Sequence, residues 1–246
     1  MPRPVTIVTG GSRGIGAAVC VRLAAEGHDL VLGYRTDGWA AEETAAAVRA
    51  AGVRCLPVRV DVAEEADVER LFDRAAAELG PVTGLVNNAG VTGPLGPLAK
   101  AETAGLRRVL DVNILGTLLS CRRAAQDMTA NGGGAIVNIS SAAATLGSPG
   151  EYVHYAAAKA AVDTLTLGLA KELGPEGIRV NAVAPGVVTT GIHAEMGDAD
   201  RPARVARDTP LRRPGEPEEI AAAVAWLLSE DASYATGTVV RVAGGR

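Results

Sequence analysis

The 246 residues suffice for one α/β domain of ordinary size and are too few for two. An apolar share of 48% against 21% charged residues excludes overall disorder, and a formal charge of −4 without a run of five like charges lacks the basic footprint of a nucleic-acid binder. Thirty glycines beside only 3% aromatic residues imply a core of small and branched aliphatics, with many tight turns or close backbone approaches.

Short β-branched runs alternate with Ala-rich segments of helical period, which predicts one domain over 1–246: a doubly wound, seven-stranded parallel sheet with helices on both faces. The first strand, near 4–9, begins too early to leave room for a signal peptide. A glycine-rich turn then enters a helix near 14–26. Further strands are expected near 29–34, 53–59, 83–87, 134–140, 178–184 and 238–242, with helices near 39–51, 64–79, 102–130, 151–174 and 216–229. From 189 to about 214, Gly, Asp, Pro and Arg interrupt the pattern, and this stretch reads as a substrate lid or as a plain surface insertion. No run of 18 apolar residues predicts a spanning helix. Cys20, Cys55 and Cys121 have no CxxC or metal spacing, so no metal site is expected and a reducing, cytoplasmic setting fits. The pairs Arg107-Arg108, Arg122-Arg123 and Arg212-Arg213 read as solvated helix faces.

The first strand runs into Thr9-Gly10-Gly11-Ser12-Arg13-Gly14-Ile15-Gly16. Glycines there permit a tight strand-to-helix turn and let a pyrophosphate approach the N–H groups of the helix start. Their spacing departs from GxGxxG, and TGxxxGxG in this place resembles the short-chain dehydrogenase/reductase family. Further motifs carry the resemblance along the whole chain: Asp61-Val62 after the third strand, Asn87-Asn88-Ala89-Gly90 after the fourth, Asn113 in Val112-Asn113-Ile114, Ser140-Ser141 ending the fifth, Tyr155-Ala156-Ala157-Ala158-Lys159, and Pro185-Gly186-Val187-Val188-Thr189-Thr190. The resemblance implies a Rossmann-type fold, a nicotinamide cofactor, a small-molecule carbonyl or alcohol substrate and a homotetramer built on the helices around 102–130 and 151–174 and the C-terminal segment. It implies catalytic roles for Asn113, Ser141, Tyr155 and Lys159. Cofactor contacts are implied at Gly10, Ser12, Arg13, Gly14, Ile15 and Gly16 for the phosphates, at Asp61 and Val62 for the adenine, at Asn88, Ala89 and Gly90, and at Pro185, Gly186, Val188 and Thr190 beside the nicotinamide.

The Tyr/Lys pair is informative in itself. With four Tyr and three Lys, chance would place a Lys four residues after a Tyr about 0.05 times in this chain, and i, i+4 positions share a helix face. Carbonyl reduction adds hydride to carbon and a proton to oxygen, so an acid is needed at the oxygen. A free phenol, with pKa about 10, is a poor base in the reverse direction, and a nearby ammonium would stabilise its phenolate. Ser141 stands 14 residues before Tyr155, one more than in many family members, and Ser140 competes with it because only one of two adjacent strand residues faces a pocket. Tyr152 lacks a Lys at 156 and reads as a pocket wall or packing residue.

At the end of the second strand NAD users carry an acid for the ribose hydroxyls, whereas a 2′-phosphate requires positive charge. Here Tyr34 takes the acid's place, Arg35 follows and Arg13 lies in the glycine turn, which favours NADP(H) over NAD(H), although Asp37 could confuse the register. His154 and His193 lack metal partners and read as loop or surface residues, with His193 in the presumed lid near substrate; Asn181 reads as structural. Within the family, 3-oxoacyl-carrier-protein reductases and sugar dehydrogenases are narrower alternatives, and the mixed charge of Lys171–Glu176 argues against a basic carrier-protein rim. A non-catalytic NADP-binding sensor is the remaining alternative, disfavoured by the presence of both Tyr155 and Lys159.

Overall fold

A computed structural model describes residues 3–246; the side chains at positions 193 and 195 lie outside the description. Seven strands, β1 (Val5–Thr9), β2 (Asp29–Tyr34), β3 (Cys55–Arg59), β4 (Val82–Asn87), β5 (Gly134–Ile139), β6 (Ile178–Pro185) and β7 (Val239–Val242), form one sheet in the order β3-β2-β1-β4-β5-β6-β7. Every pairing is parallel, with Ile7 opposite Val31 on one side and Leu85 on the other. All five residues of β1 are buried, as expected where helices cover both faces.

Period-two alternation divides the apolar residues between two cores. Ile7, Val31, Leu85, Ile136 and Val180 point to the face covered by α3 (Glu65–Glu78), α5 (Gly116–Asn131) and α7 (Val153–Leu173), where the single phenylalanine, Phe72, is fully buried. Val8, Leu32, Val86, Val137 and Val183 point to the opposite face, against α1 (Gly14–Ala25), α2 (Gly38–Ala50) and α10 (Pro217–Leu228). A polar layer crosses the first side: Asn87 Nδ2 donates to Asn138 Oδ1 at 2.9 Å, and Asn138 Nδ2 to Thr166 Oγ1 at 2.9 Å. This network ties β4, β5 and α7 together in one register.

Two segments depart from the sequence expectation. The helix foreseen over 102–130 is α4 (Thr103–Leu110), a π turn over Asp111–Leu115, and α5. Asn113 sits in the wide turn, and its amide donates to the Val109 carbonyl at 2.9 Å. π turns of this sort occur frequently at functional sites. The stretch 189–214 is not structureless: it holds α8 (Ile192–Glu195) and α9 (Arg201–Ala206), after a short α6 (Ala143–Leu146) earlier in the chain. Its base is closed by a parallel bridge between Val188 and Gly215, with Thr189 N donating to Gly215 O and Gly215 N to Val187 O, both at 2.9 Å.

Candidate active site

The chain leaves β1 for β2 on one side and reaches β4 only after β3, so the helices over those two connections diverge and leave a crevice at the carboxyl ends of β1 and β4. One continuous cleft runs from the Tyr34–Asp37 region, past the glycine turn, to Tyr155, Lys159 and the 189–214 excursion. Of the residues expected to meet a cofactor, all but Gly16 line it.

The turn depends on Gly14, whose φ of 53° is a left-handed conformation unfavourable to other residues. Gly16 serves packing. A Cβ there would lie 2.1 Å from the Gly10 carbonyl oxygen and 2.5 Å from Asn88 Nδ2, so only glycine lets α1 come this close to β1. Asn88 fixes the turn from the neighbouring strand, its amide donating to Thr9 O at 3.1 Å and Gly10 O at 2.9 Å. No side chain caps α1, so the N–H groups of its first turn, beside the cleft, are left without a side-chain acceptor, an arrangement suited to an anion.

At the far end, Tyr34, Arg35 and Asp37 line the cleft. The Asp37 carboxylate accepts from Ala40 N at 2.9 Å and is thereby engaged as the cap of α2. Asp61 accepts from Ala63 N at 3.1 Å and from Arg108 Nη2 at 2.8 Å. Arg108 therefore belongs to the cleft wall, a correction to the expectation of a solvated helix face. Arg123 departs from it too, stacking on Phe72 and bridging Glu69, Asp73 and Asp127.

At the near end α7 presents Tyr155 and Lys159 one turn apart. Lys159 is 4% exposed, and its Nζ donates to the Ile139 carbonyl at 2.7 Å and stands 5.7 Å from the Tyr155 ring centre. Burial pushes Lys159 down to about 8, opposed by the Asp163 carboxylate. Burial likewise pushes the Tyr155 phenol up to about 12, opposed chiefly by the Ser141 hydroxyl. The expected depression of the phenol by the ammonium is thus not found in the protein alone: desolvation dominates, and Nζ leans on the β5 carbonyl.

Ser141 faces Tyr155, its Oγ accepting from Ala143 N at 3.1 Å, while the Ser140 hydroxyl turns to the Lys159 carbonyl at 3.4 Å. Asn113 is fully buried behind the wall; its amide donates to Val91 O at 2.7 Å as well as to Val109 O, and Oδ1 has no hydrogen-bond partner among the described residues. Its main-chain oxygen accepts from Thr117 Oγ1 at 2.9 Å. Gly90 leaves no room for a side chain, since a Cβ would lie 2.9 Å from Asn113 Oδ1.

Tyr152 is a wall residue, edge-on to Tyr155 with ring centres 5.3 Å apart. Thr190, Ile192, Met196 and Arg201, from the 189–214 excursion, line the cleft on the side of Tyr152 and Tyr155. Met196 and Arg201 were not singled out by sequence; nothing in that aperiodic stretch distinguishes them. His154 is not in a loop: it lies in the first turn of α7, with Nε2 3.0 Å from Thr92 O. The side chain of His193 lies outside the described residues. Asn181 joins β6 to the Ala235–Thr238 loop through Nδ2 to Ala235 O at 2.7 Å and Thr238 N to Oδ1 at 3.2 Å. Among the described residues no cluster of His, Cys, Asp or Glu could hold a metal ion, and no helix is long and apolar enough to cross a membrane.

A family profile described as Enoyl-(Acyl carrier protein) reductase matches residues 10–246. The cis-4-hydroxycyclohexanecarboxylate dehydrogenase of Sinomonas cyclohexanicum is 43% identical over 241 residues, covering 98% of this chain and 95% of that protein. The crystal structure of a short-chain type dehydrogenase/reductase from Mycobacterium marinum superposes with a TM-score of 0.94 at 32% identity, over 99% of this chain and 95% of the other. A blue fluorescent protein from a metagenomic library, solved with NADPH, superposes with a TM-score of 0.91 at 36% identity, over 99% and 98% of the two chains. With a family profile over nearly the whole chain and relatives of this identity, coverage and superposition, the chain belongs to the short-chain dehydrogenase/reductase family, oxidoreductases of alcohol and carbonyl substrates.

Proposed function

We propose that the protein is an NADP(H)-dependent oxidoreductase that interconverts a small ketone or aldehyde and its alcohol, with Tyr155, Lys159, Ser141 and Asn113 as its working residues. The observation that carries this is the convergence of Tyr155, Ser141 and Lys159 in the same cleft as the glycine turn. The cleft fits a dinucleotide: an uncapped helix start suits the pyrophosphate, and Lys159, in the lining of the same cleft, would hold ribose hydroxyls. Gly90, where a Cβ would lie 2.9 Å from Asn113 Oδ1, leaves the cleft wall at that point without a side chain.

When bound, the nicotinamide supplies or accepts the hydride. Tyr155 Oη holds the proton that the carbonyl oxygen receives; a phenol raised to about 12 by burial is fully protonated and suited to donate in the reductive direction. The Ser141 hydroxyl, beside that phenol, orients the same substrate oxygen. Lys159, held by Ile139 O, stabilises the phenolate that remains after transfer, and Asn113, in the π turn behind the cleft wall, braces that wall through its amide bonds to Val91 O and Val109 O.

The cofactor preference rests on the other end. Tyr34 and not a carboxylate ends β2, Asp37 caps α2 through Oδ1, and Arg35 has no side-chain partner among the described residues. A 2′-phosphate would answer Arg35, and the NADPH bound by the metagenomic relative is consistent with that. The test is NADPH and NADH oxidation against a panel of ketones, aldehydes and acyl thioesters, with Tyr155→Phe and Arg35→Ala. Tyr155→Phe should abolish turnover, and Arg35→Ala should weaken NADPH at least tenfold while sparing NADH; equal use of both cofactors by the unaltered protein would refute the preference. Exposed Leu115, Leu118 and Leu167 on the π turn, α5 and α7 support the further proposal that the chain assembles as a homotetramer.

A further inference from the structure

Resting on the reading of the site as a carbonyl/alcohol pocket, we propose that Arg201 is its substrate-selecting cation: it binds a second oxygen acceptor on the substrate, a carboxylate foremost, carried beyond the reacting carbonyl.

Among the described residues three charged side chains are nearly buried, and two are answered. Asp29 receives Arg54 Nη2 and Nε, at 2.5 and 2.8 Å, and Lys159 donates to Ile139 O. Arg201, with a side chain 9% exposed, donates only Nη2, to Glu151 Oε2 at 2.7 Å. Its Nε is covered and without a partner, and Nη1 meets no acceptor among the described residues. A guanidinium carries five N–H donors in a fixed fork, and leaving a buried one unpaired opposes folding. Anchoring α9 by packing alone would be served as well by an apolar side chain.

The fork is held in place. Cζ stacks 5.0 Å over the Tyr152 ring, which is itself edge-on to Tyr155. Glu151 orients the fork without using it up, since it is also shared with Arg204 at 3.9 Å, and Arg204 in turn is paired to Asp198. The cation and the phenol line the same cleft, one tyrosine ring apart, close enough that Arg201 favours the Tyr155 phenolate. A substrate with its carbonyl at Tyr155 and an acceptor across a six-membered ring would therefore direct that acceptor toward Arg201. Bidentate or charge-assisted pairing makes a carboxylate the preferred group and a second carbonyl the weaker one.

Two measurements separate this inference from the reading beneath it. Cyclohexanecarboxylate, which cannot react, is titrated calorimetrically into the full chain with and without NADP+. Arg201→Met should weaken its binding tenfold or more, Arg201→Lys less, and Glu151→Gln should keep or tighten it. Turnover of cyclohexanone, 1,4-cyclohexanedione and 4-oxocyclohexanecarboxylate is then compared. The unaltered protein should rank the keto acid first and the plain ketone last, and Arg201→Met should level the ranking, lowering kcat/KM for the keto acid at least tenfold more than for cyclohexanone. Absent binding of the carboxylate by the unaltered protein, equal binding by Arg201→Met, or equal loss in Glu151→Gln and Arg201→Met would overturn the proposal and make the pair a structural clamp. Failure of every ketone to be reduced would overturn the carbonyl reading instead and leave the binding comparison to stand on its own.

Discussion

Gly16→Ala tests whether the helix after the glycine turn must touch the strand before it. The added methyl would lie 2.1 Å from Gly10 O and 2.5 Å from Asn88 Nδ2, well inside van der Waals contact, and the nearest obstacle is backbone, which cannot rotate aside. Overpacking of this kind costs about 1–3 kcal/mol, and disturbing the 2.9 Å bond from Asn88 Nδ2 to Gly10 O adds about 1 kcal/mol. For a chain of this length the unfolding entropy near the melting point is about 0.5 kcal/mol/K, so the variant should melt about 4–8 °C lower. Because relief comes by moving the turn, NADPH affinity should also fall about tenfold or more, an ångström-scale displacement of phosphate donors being enough. Scanning calorimetry and a fluorescence titration with NADPH measure the two effects. Gly105→Ala provides the opposite sign: its Cβ would meet only Pro94 Cδ at 4.0 Å, within a helix, and should raise stability by about 0.5–1 kcal/mol. A Gly16→Ala protein with unchanged melting point and cofactor affinity would refute the close-contact role.

Three further outcomes are expected. Burial holds Lys159 near 8 against the ordinary lysine value of 10.5, a difference of about 3 kcal/mol that opposes folding while the ammonium is present, below pH 8, and fades to nothing by pH 10.5. Lys159→Met should therefore abolish turnover yet raise stability by about 1–3 kcal/mol at pH 7, with the gain vanishing toward pH 10.5 in denaturant melts; destabilisation at pH 7 would contradict it. Asp163→Asn removes the carboxylate that opposes the burial of Lys159, so the basic limb of the kcat/KM profile should move to lower pH, and an unmoved limb would show that Asp163 does not act on Lys159. Light scattering should give four times the chain mass of 25.0 kDa, and Leu118→Glu with Leu167→Glu should reduce it; a monomeric unaltered protein would refute the assembly.

The strands were legible because parallel strands buried on both faces are continuous apolar runs, and the turn and the Tyr155/Lys159 pair because spacing alone defines them. Other features depend on contacts that sequence distance conceals. Arg201 meets Glu151 from 50 residues away and Arg108 meets Asp61 from 47, so neither arginine differs from a solvated one until the chain is folded. The π turn at Asn113 adds one residue to a helix without interrupting its run of apolar and polar positions. Ser140 and Ser141 are chemically identical, and only the way each leaves the end of β5 separates the hydroxyl facing Tyr155 from the one facing α7. Gly16 lies inside a cofactor motif yet meets the protein's own backbone, a distinction that spacing does not encode.

The strand order also governs when the cleft can exist during folding. β1 pairs with β2 after a short helix, but its other neighbour, β4, begins at Val82, so the crevice between them closes a loop of more than seventy residues. Loop closure on that scale costs about 4 kcal/mol before any contact rewards it, and such long-range parallel pairing is intrinsically slow. During synthesis the glycine turn therefore leaves the ribosome well before Asn88, the residue that fastens it through Thr9 and Gly10. The cofactor end is a late-forming joint between two halves of the sheet, so a dinucleotide in the refolding buffer should act on the last steps of assembly, slowing the unfolding of the finished protein more than it speeds the first collapse.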